Sequence, residues 1–229
     1  MNTTTGKLWY KSIHTFGLSR VYVSDNMSGK MEGIASVSTS VLLNKFCQAR
    51  RNVKGSICEK CFAQATVNRY SGLEQRLREN TETLTKELLT PEEMPRFTCD
   101  IVRLESFGDL NNVLQARNYI RIARHNPRVT FTLWTKNHNF LKQAIEQEGK
   151  PENLIIIHSS MFMNAVETKI DSFFDHRFTV WADRDTAHNN NSCINCRGRL
   201  EGAEIDKCRN CMRCYTVGNT DFDIGELLK

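Results

Sequence analysis

Eight of the nine cysteines fall into two tight groups, and this arrangement limits the fold more than any other feature of the 229 residues. One group is Cys47, Cys58 and Cys61; the other is Cys193, Cys196, Cys208, Cys211 and Cys214. Thiols clustered this way serve either a disulfide framework in an oxidising compartment or metal and redox chemistry in a reducing one. The polar start MNTTTGKLWYKS lacks the apolar stretch of a secretory signal, and no apolar run approaches the length that spans a bilayer. The expectation is a cytoplasmic protein without a membrane segment, whose cysteines bind metal. Cys99 stands alone in PRFTCDIVRL and reads as a buried apolar thiol.

The C-terminal segment CINCRGRLEGAEIDKCRNCMRCY holds two C-x2-C pairs eleven residues apart, the second extended to C-x2-C-x2-C. A C-x2-C turn brings two thiolates to one metal, and two such turns complete a tetrahedron. Zinc would need only Cys193, Cys196, Cys208 and Cys211, leaving Cys214 surplus. The extended run equally suits a [4Fe–4S] cluster, where thiolates from one short loop reach different corners. Four of the five are expected to ligate, with the spare one open. In FCQARRNVKGSICEKCFA, Cys47, Cys58 and Cys61 make an incomplete set. Its completion is either a fourth ligand such as Cys214, or a cluster with one iron left for a cofactor. One or two clusters follow, with zinc as the alternative at the C-terminal site.

Between these groups the chain alternates. Leu73, Leu77, Leu84 and Leu88 recur at helical spacing before Pro91 and Pro95. Strands are predicted at Asp100–Glu105, Val129–Thr135, Leu154–His158 and Phe178–Ala182, with helices at Asn112–His125, Asn139–Gln147 and Ala165–Phe174. Continuous apolar strands separated by helices imply parallel β/α units. The predicted fold is α/β: a partial parallel β/α barrel of about four to six strands over residues 1–190. A cysteine-rich extension over residues 191–229 packs on it.

The predicted strands share polar carboxyl ends, where parallel α/β folds bind ligands. Glu105, Gly108 and Asp109 follow the first, Lys136 the second, His158 and Ser160 the third, and Asp183-Arg184-Asp185 the fourth. Glu105, Gly108, Asp109, Lys136, His158 and Ser160 are the candidate cofactor-binding residues. No catalytic residue is assigned; His158 beside Ser159 and Ser160 suggests a base with its nucleophile, although neighbours on a strand point oppositely. The net charge of +5 is spread along the chain, with one basic run at Gln48–Lys54 (QARRNVK) beside Cys47.

A C-x2-C-aromatic loop ahead of a helix and β/α units is similar to radical S-adenosylmethionine enzymes. Here the spacing is Cys47-x10-Cys58-x2-Cys61, in place of their C-x3-C-x2-C, and the aromatic Phe62 follows the last cysteine. The chain more closely resembles the phage gene product 88 family. The resemblance is carried by Gly29–Ser40 (GKMEGIASVSTS), Cys58–Ala63 (CEKCFA), Val102–Leu110 (VRLESFGDL), Phe131–Asn137 (FTLWTKN) and the tail ending Cys211-x2-Cys214-Tyr215. It implies an iron–sulfur protein with a partial barrel, working in a bacterial host cytoplasm.

Two functions follow. One is a radical enzyme with an open [4Fe–4S] cluster binding S-adenosylmethionine, with Glu105, Gly108 and Asp109 near the cofactor's ammonium and Lys136 near its carboxylate or a phosphate. The other is a non-enzymatic iron–sulfur or zinc protein that binds nucleic acid or a host protein. A small-molecule cofactor or electron donor is the partner in the first case.

Overall fold

The computed structural model describes residues 7–25, 27–189, 193–196, 207–217 and 223–228. Near the N-terminus, β1 (Tyr10–Lys11) pairs antiparallel with β3 (Leu18–Ser19), and β2 (Thr15–Phe16) pairs antiparallel with β5 (Arg96–Phe97). The main sheet is built from β4 (Ala35–Val37), β6 (Ile101–Leu104), β7 (Thr130–Thr135), β8 (Leu154–Ser159), β9 (His176–Trp181), β10 (Cys193–Asn195) and β11 (Asp223–Leu227). Its order is β10-β11-β9-β8-β7-β6-β4, and every pairing is parallel. From β4 to β9 each new main-sheet strand lies beside its predecessor, the order that successive βαβ crossovers build. The result is the predicted partial barrel, with more strands than expected.

The helices follow local signals. Asn44 caps α1 (Lys45–Arg51), its side chain accepting from the amides of Phe46 and Cys47. α2 (Phe62–Arg69) precedes α3 (Ser71–Lys86), the helix expected from the leucine spacing, and the two are separated at Tyr70. Asn112 caps α4 (Val113–His125), accepting from the Gln115 amide, and α5 (His138–Glu148) stops at Gly149, where φ is +71°. The short α6 (Arg184–Asn189) and α7 (Cys208–Cys211) complete the set among the described residues.

Alternation along the strands creates two unlike faces. Val102, Leu104, Phe131, Leu133, Leu154 and Ile156 pack under Tyr119, Ile120 and Ala123 of α4 and Leu141 and Ala144 of α5, forming the main core. Each such aliphatic or aromatic side chain contributes about 1.5–3 kcal/mol on burial. The intervening Ile101, Trp134, Ile155 and Ile157 point inward, where they meet Met31, Ile34 and the C-terminal segment through Cys208, Cys214 and Tyr215. Thus the described parts of the predicted extension add two strands to the sheet and cover part of its inner face.

Two expectations are corrected, and one strand was not foreseen. The barrel opens with β4, three residues in a Ser/Thr-rich stretch too short to show a strand period, so the strand predicted first is the second. β11 was hidden in a polar tail. Ala165–Phe174 is not helical: its carbonyls are taken by side chains, Ala165 by Ser160 and Thr179, Glu167 by Arg177 and Phe173 by Lys150. Those bonds hold the segment as an irregular connection between β8 and β9.

Candidate functional site

A cavity of about 530 Å³ opens on the inner face at the carboxyl ends of the strands. Cys47, Cys58 and Cys61 line it together with Glu105, Gly108, Asp109 and Lys136, so residues predicted from separate motifs share one space. The cysteine loop follows β4. It reaches the β8–β9 connection, where the Ile57 amide donates to the Met161 carbonyl at 3.1 Å and Ser56 bridges Phe162. Asn44 ties this loop to the next strand end: its carboxamide caps the helix bearing Cys47 and donates to the Asp109 carbonyl at 2.7 Å.

Burial, reinforced by the nearby carboxylates of Asp109 and Glu105, holds the Cys47 thiol above its ordinary pKa. Burial also raises Cys58, partly opposed by the Lys136 ammonium. Such thiols stay protonated unless a cation lies beside them, and metal binding supplies that charge as the proton leaves. Phe62, immediately after Cys61, stands against Phe107 with ring centroids 6.4 Å apart. Among the described residues, no three thiol, imidazole or carboxyl groups converge on a single-ion site.

Two carboxyl groups order the strand ends. Glu105 has φ +57°, a sparsely populated conformation for a side-chain-bearing residue. Its carboxyl accepts from Thr39 Oγ1 at 2.9 Å, Gln115 Nε2 at 2.5 Å and the Tyr119 hydroxyl. Burial outweighs these donors and pushes its pKa up to about 8. Asp109 accepts from Thr135 Oγ1 at 2.5 Å, from the Lys136 amide at 2.9 Å and from the Leu110 amide at 2.8 Å. Both carboxyl groups accept these bonds from the protein while lining the cavity. Gly108 is required sterically: a β-carbon there would lie 2.5 Å from Glu105 Oε2 and 2.8 Å from the Thr39 carbonyl oxygen. Lys136 extends its ammonium to Ser159 Oγ at 2.9 Å, inside the cavity.

His158 and Ser160 do not join this site. His158 points to the helical face, its ring 4.2 Å from that of His138 and 5.1 Å from Phe174. Burial lowers its pKa to about 4. Ser160 donates to the carbonyls of Phe162 and Ala165, shaping the connection after β8. Period-two alternation explains the split: Ser159 faces inward, so His158 faces out. His158 and Ser159 therefore lie on opposite faces, and the Ser160 hydroxyl is spent on the Phe162 and Ala165 carbonyls. Cys99 is partly buried against the main core, as expected.

Residues that the sequence reading passed over lie deeper in the cavity. The Arg103 guanidinium sits 3.8 Å from the centre of the Trp134 ring and donates to Met31 Sδ at 3.4 Å. Lys30 pairs with Glu226 at 2.5 Å. A charged residue between Val102 and Leu104 in a strand buried on both faces was the available signal for Arg103. Below it, Cys196, Cys208, Cys211 and Cys214 line a second void of about 30 Å³. Cys193 lies in β10, its side chain outside the described residues. The basic run Gln48–Lys54 lies on and just after α1, where Arg50 covers the Phe46 ring at 5.2 Å.

Among the described residues, no helix is long and apolar enough to cross a membrane. The family model described as gene product 88 matches residues 28–217, a span that takes in both cysteine groups and the strand ends between them. No curated protein and no solved structure matches the chain.

Proposed function

The chain belongs to the gene product 88 family of phage proteins, and on that footing we propose that it is an iron–sulfur enzyme of the radical S-adenosylmethionine type. The observation that carries the reading is the common cavity: three partly buried cysteines on the loop after the first barrel strand face the polar ends of the following strands. The residues present fit a cluster in donor chemistry, since thiolates are the ordinary ligands of iron–sulfur centres and three of them leave one iron open. Such a centre, when bound with its cofactor, supplies one-electron reduction and a carbon radical.

The protein's own contribution is positional. The Asn44 link fixes the helix of Cys47 against the Asp109 loop. Gly108 keeps the loop low enough for Glu105 and Thr39 to meet beneath it. Lys136 offers a cation to a ligand carboxylate or phosphate, and Asp109 holds the Lys136 backbone in place. The bonds from Thr39, Gln115 and Tyr119 make Glu105 a positioning group that locks the strand end. The cavity below, with Arg103 and Trp134, is where a substrate would lie.

The test is anaerobic reconstitution with iron and sulfide. S-adenosylmethionine should then perturb the reduced cluster's EPR signal and, with reductant, give 5′-deoxyadenosine. An intact cluster indifferent to the cofactor in both assays overturns the enzymatic reading. The basic run on α1 sets a parallel test, because nucleic-acid binding there would weaken steeply with salt.

A further inference from the structure

We propose that Cys196, Cys208, Cys211 and Cys214 form a site for a single zinc ion that fastens the C-terminal segment to the inner face of the sheet. The site is distinct from the upper cysteine cavity and stands whether or not that cavity holds iron. Its first support is size. The void ringed by the four cysteines is about 30 Å³, against about 530 Å³ above. A space of that order holds one water-sized body. It suits one ion better than a four-iron cube.

The second support is how the backbone presents the thiols. Cys208 and Cys211 sit at the two ends of α7, a single turn. Met212 then takes a left-handed conformation with φ +55°, starting the 3₁₀ turn Arg213–Tyr215 that carries Cys214. Cys196 arrives from the end of β10, its amide bonded to the Gly225 carbonyl at 2.6 Å. Three ligands thus come from one tight reversal and the fourth from the sheet, which is the cross-link a structural zinc provides.

The third support is charge. A divalent ion held by four thiolates is net anionic, and three cationic residues, Lys30, Lys207 and Arg213, line the void with the four cysteines. Lys30 Nζ lies 3.7 Å from Cys196 Sγ. Arg103 lies on the Trp134 ring, which packs in the same apolar cluster as Cys208 and Cys214. Its Nε is buried and, among the described residues, has no hydrogen-bond partner, while the guanidinium donates to Met31 Sδ. A buried cation is costly without a negative charge near it, and a zinc–tetrathiolate centre supplies one. The four thiols surround the void without converging to a single-ion geometry, so zinc would draw the ring inward. That contraction would tighten the apolar contact of Tyr215, Cys208 and Cys214 with Trp134, Ile155 and Ile157.

The experiment is metal analysis of the full-length chain, with cobalt substitution as a readout that needs no mutation. One zinc per chain is expected, retained in Cys47→Ser and Cys193→Ser and lost in Cys208→Ser and Cys214→Ser. Cobalt in the wild-type protein should show the thiolate-to-metal charge-transfer bands and intense visible bands of tetrahedral sulfur coordination. Lys30→Met should lower zinc affinity by about 10- to 100-fold, as loss of an outer-shell partner does. The proposal is overturned by zinc that survives Cys208→Ser, by zinc lost in Cys193→Ser, by iron and sulfide in place of zinc at these cysteines, or by a cobalt spectrum without sulfur ligation.

Discussion

Replacing Gly108 by alanine probes the tightest point of the site. The added β-carbon would lie 2.5 Å from Glu105 Oε2, 2.8 Å from the Thr39 carbonyl oxygen and 3.0 Å from Thr39 Oγ1. None of these can retreat cheaply. Thr39 follows β4 and has no exposed surface, and the Glu105 carboxyl is held by Thr39, Gln115 and Tyr119. Overpacking of this kind costs about 1–3 kcal/mol. In a chain of this length each kcal/mol moves the melting temperature by about 2–4 °C. Gly108→Ala should therefore lower Tm by roughly 2–12 °C in a thermal melt. Gly72 is the control: it lies in α3, and a β-carbon there meets nothing within 4 Å. Gly72→Ala should be neutral or stabilising by up to about 1 kcal/mol. Equal melting temperatures for Gly108→Ala and wild type would refute the close approach of the Gly108 loop to Glu105.

Three further outcomes follow. Asn44→Ala removes the cap of α1 and the bond to the Asp109 carbonyl, so it should cost about 0.5–2 kcal/mol in denaturant unfolding and weaken iron retention. Glu105 has a folded pKa near 8, above its ordinary 4.5, so the folded state holds its proton longer than the unfolded chain does. Its stabilising contribution is complete below about pH 4.5 and is lost as pH rises through about 8, so Tm differences between wild type and Glu105→Gln should shift in the variant's favour from pH 5 to pH 9. His158 shows the opposite sense: with its folded pKa lowered to about 4 from 6.5, stability is lost as pH falls from 6.5 through 4. His158→Phe should accordingly gain on wild type in melts at pH 5 relative to pH 7.5, without change in metal content.

How much of this was legible in the sequence depended on length of signal. Val129–Thr135 and Leu154–His158 are long, apolar and buried on both faces, and they return as β7 and β8 within a residue or so. Asn112 and Gly149 marked helix ends because their chemistry acts locally. β4 was invisible, since three residues in a polar stretch earn their strand only by pairing with β6. Ala165–Phe174 carried a helical spacing of apolar residues that tertiary hydrogen bonds overrode. Motif and strand-end position singled out Cys47, Cys58, Cys61, Gly108, Asp109 and Lys136, which the fold gathers along one cavity. His158 and Ser160 lie outside that cavity: alternation turns His158 to the helical face, and the Ser160 hydroxyl bonds the Phe162 and Ala165 carbonyls. Arg103 and Lys30 went unnoticed because their importance comes from what lies across the sheet.

The central claim is that the upper cysteines ligate iron, and the most direct measurement is iron and acid-labile sulfide per chain after anaerobic reconstitution. It compares wild type with the combined Cys47→Ser, Cys58→Ser, Cys61→Ser variant and with Cys99→Ser. The account predicts about four iron and four sulfide per chain in wild type and in Cys99→Ser, as one [4Fe–4S] centre requires, and loss of both in the combined variant. Iron content that is the same in all three proteins, or absent from wild type, would contradict it.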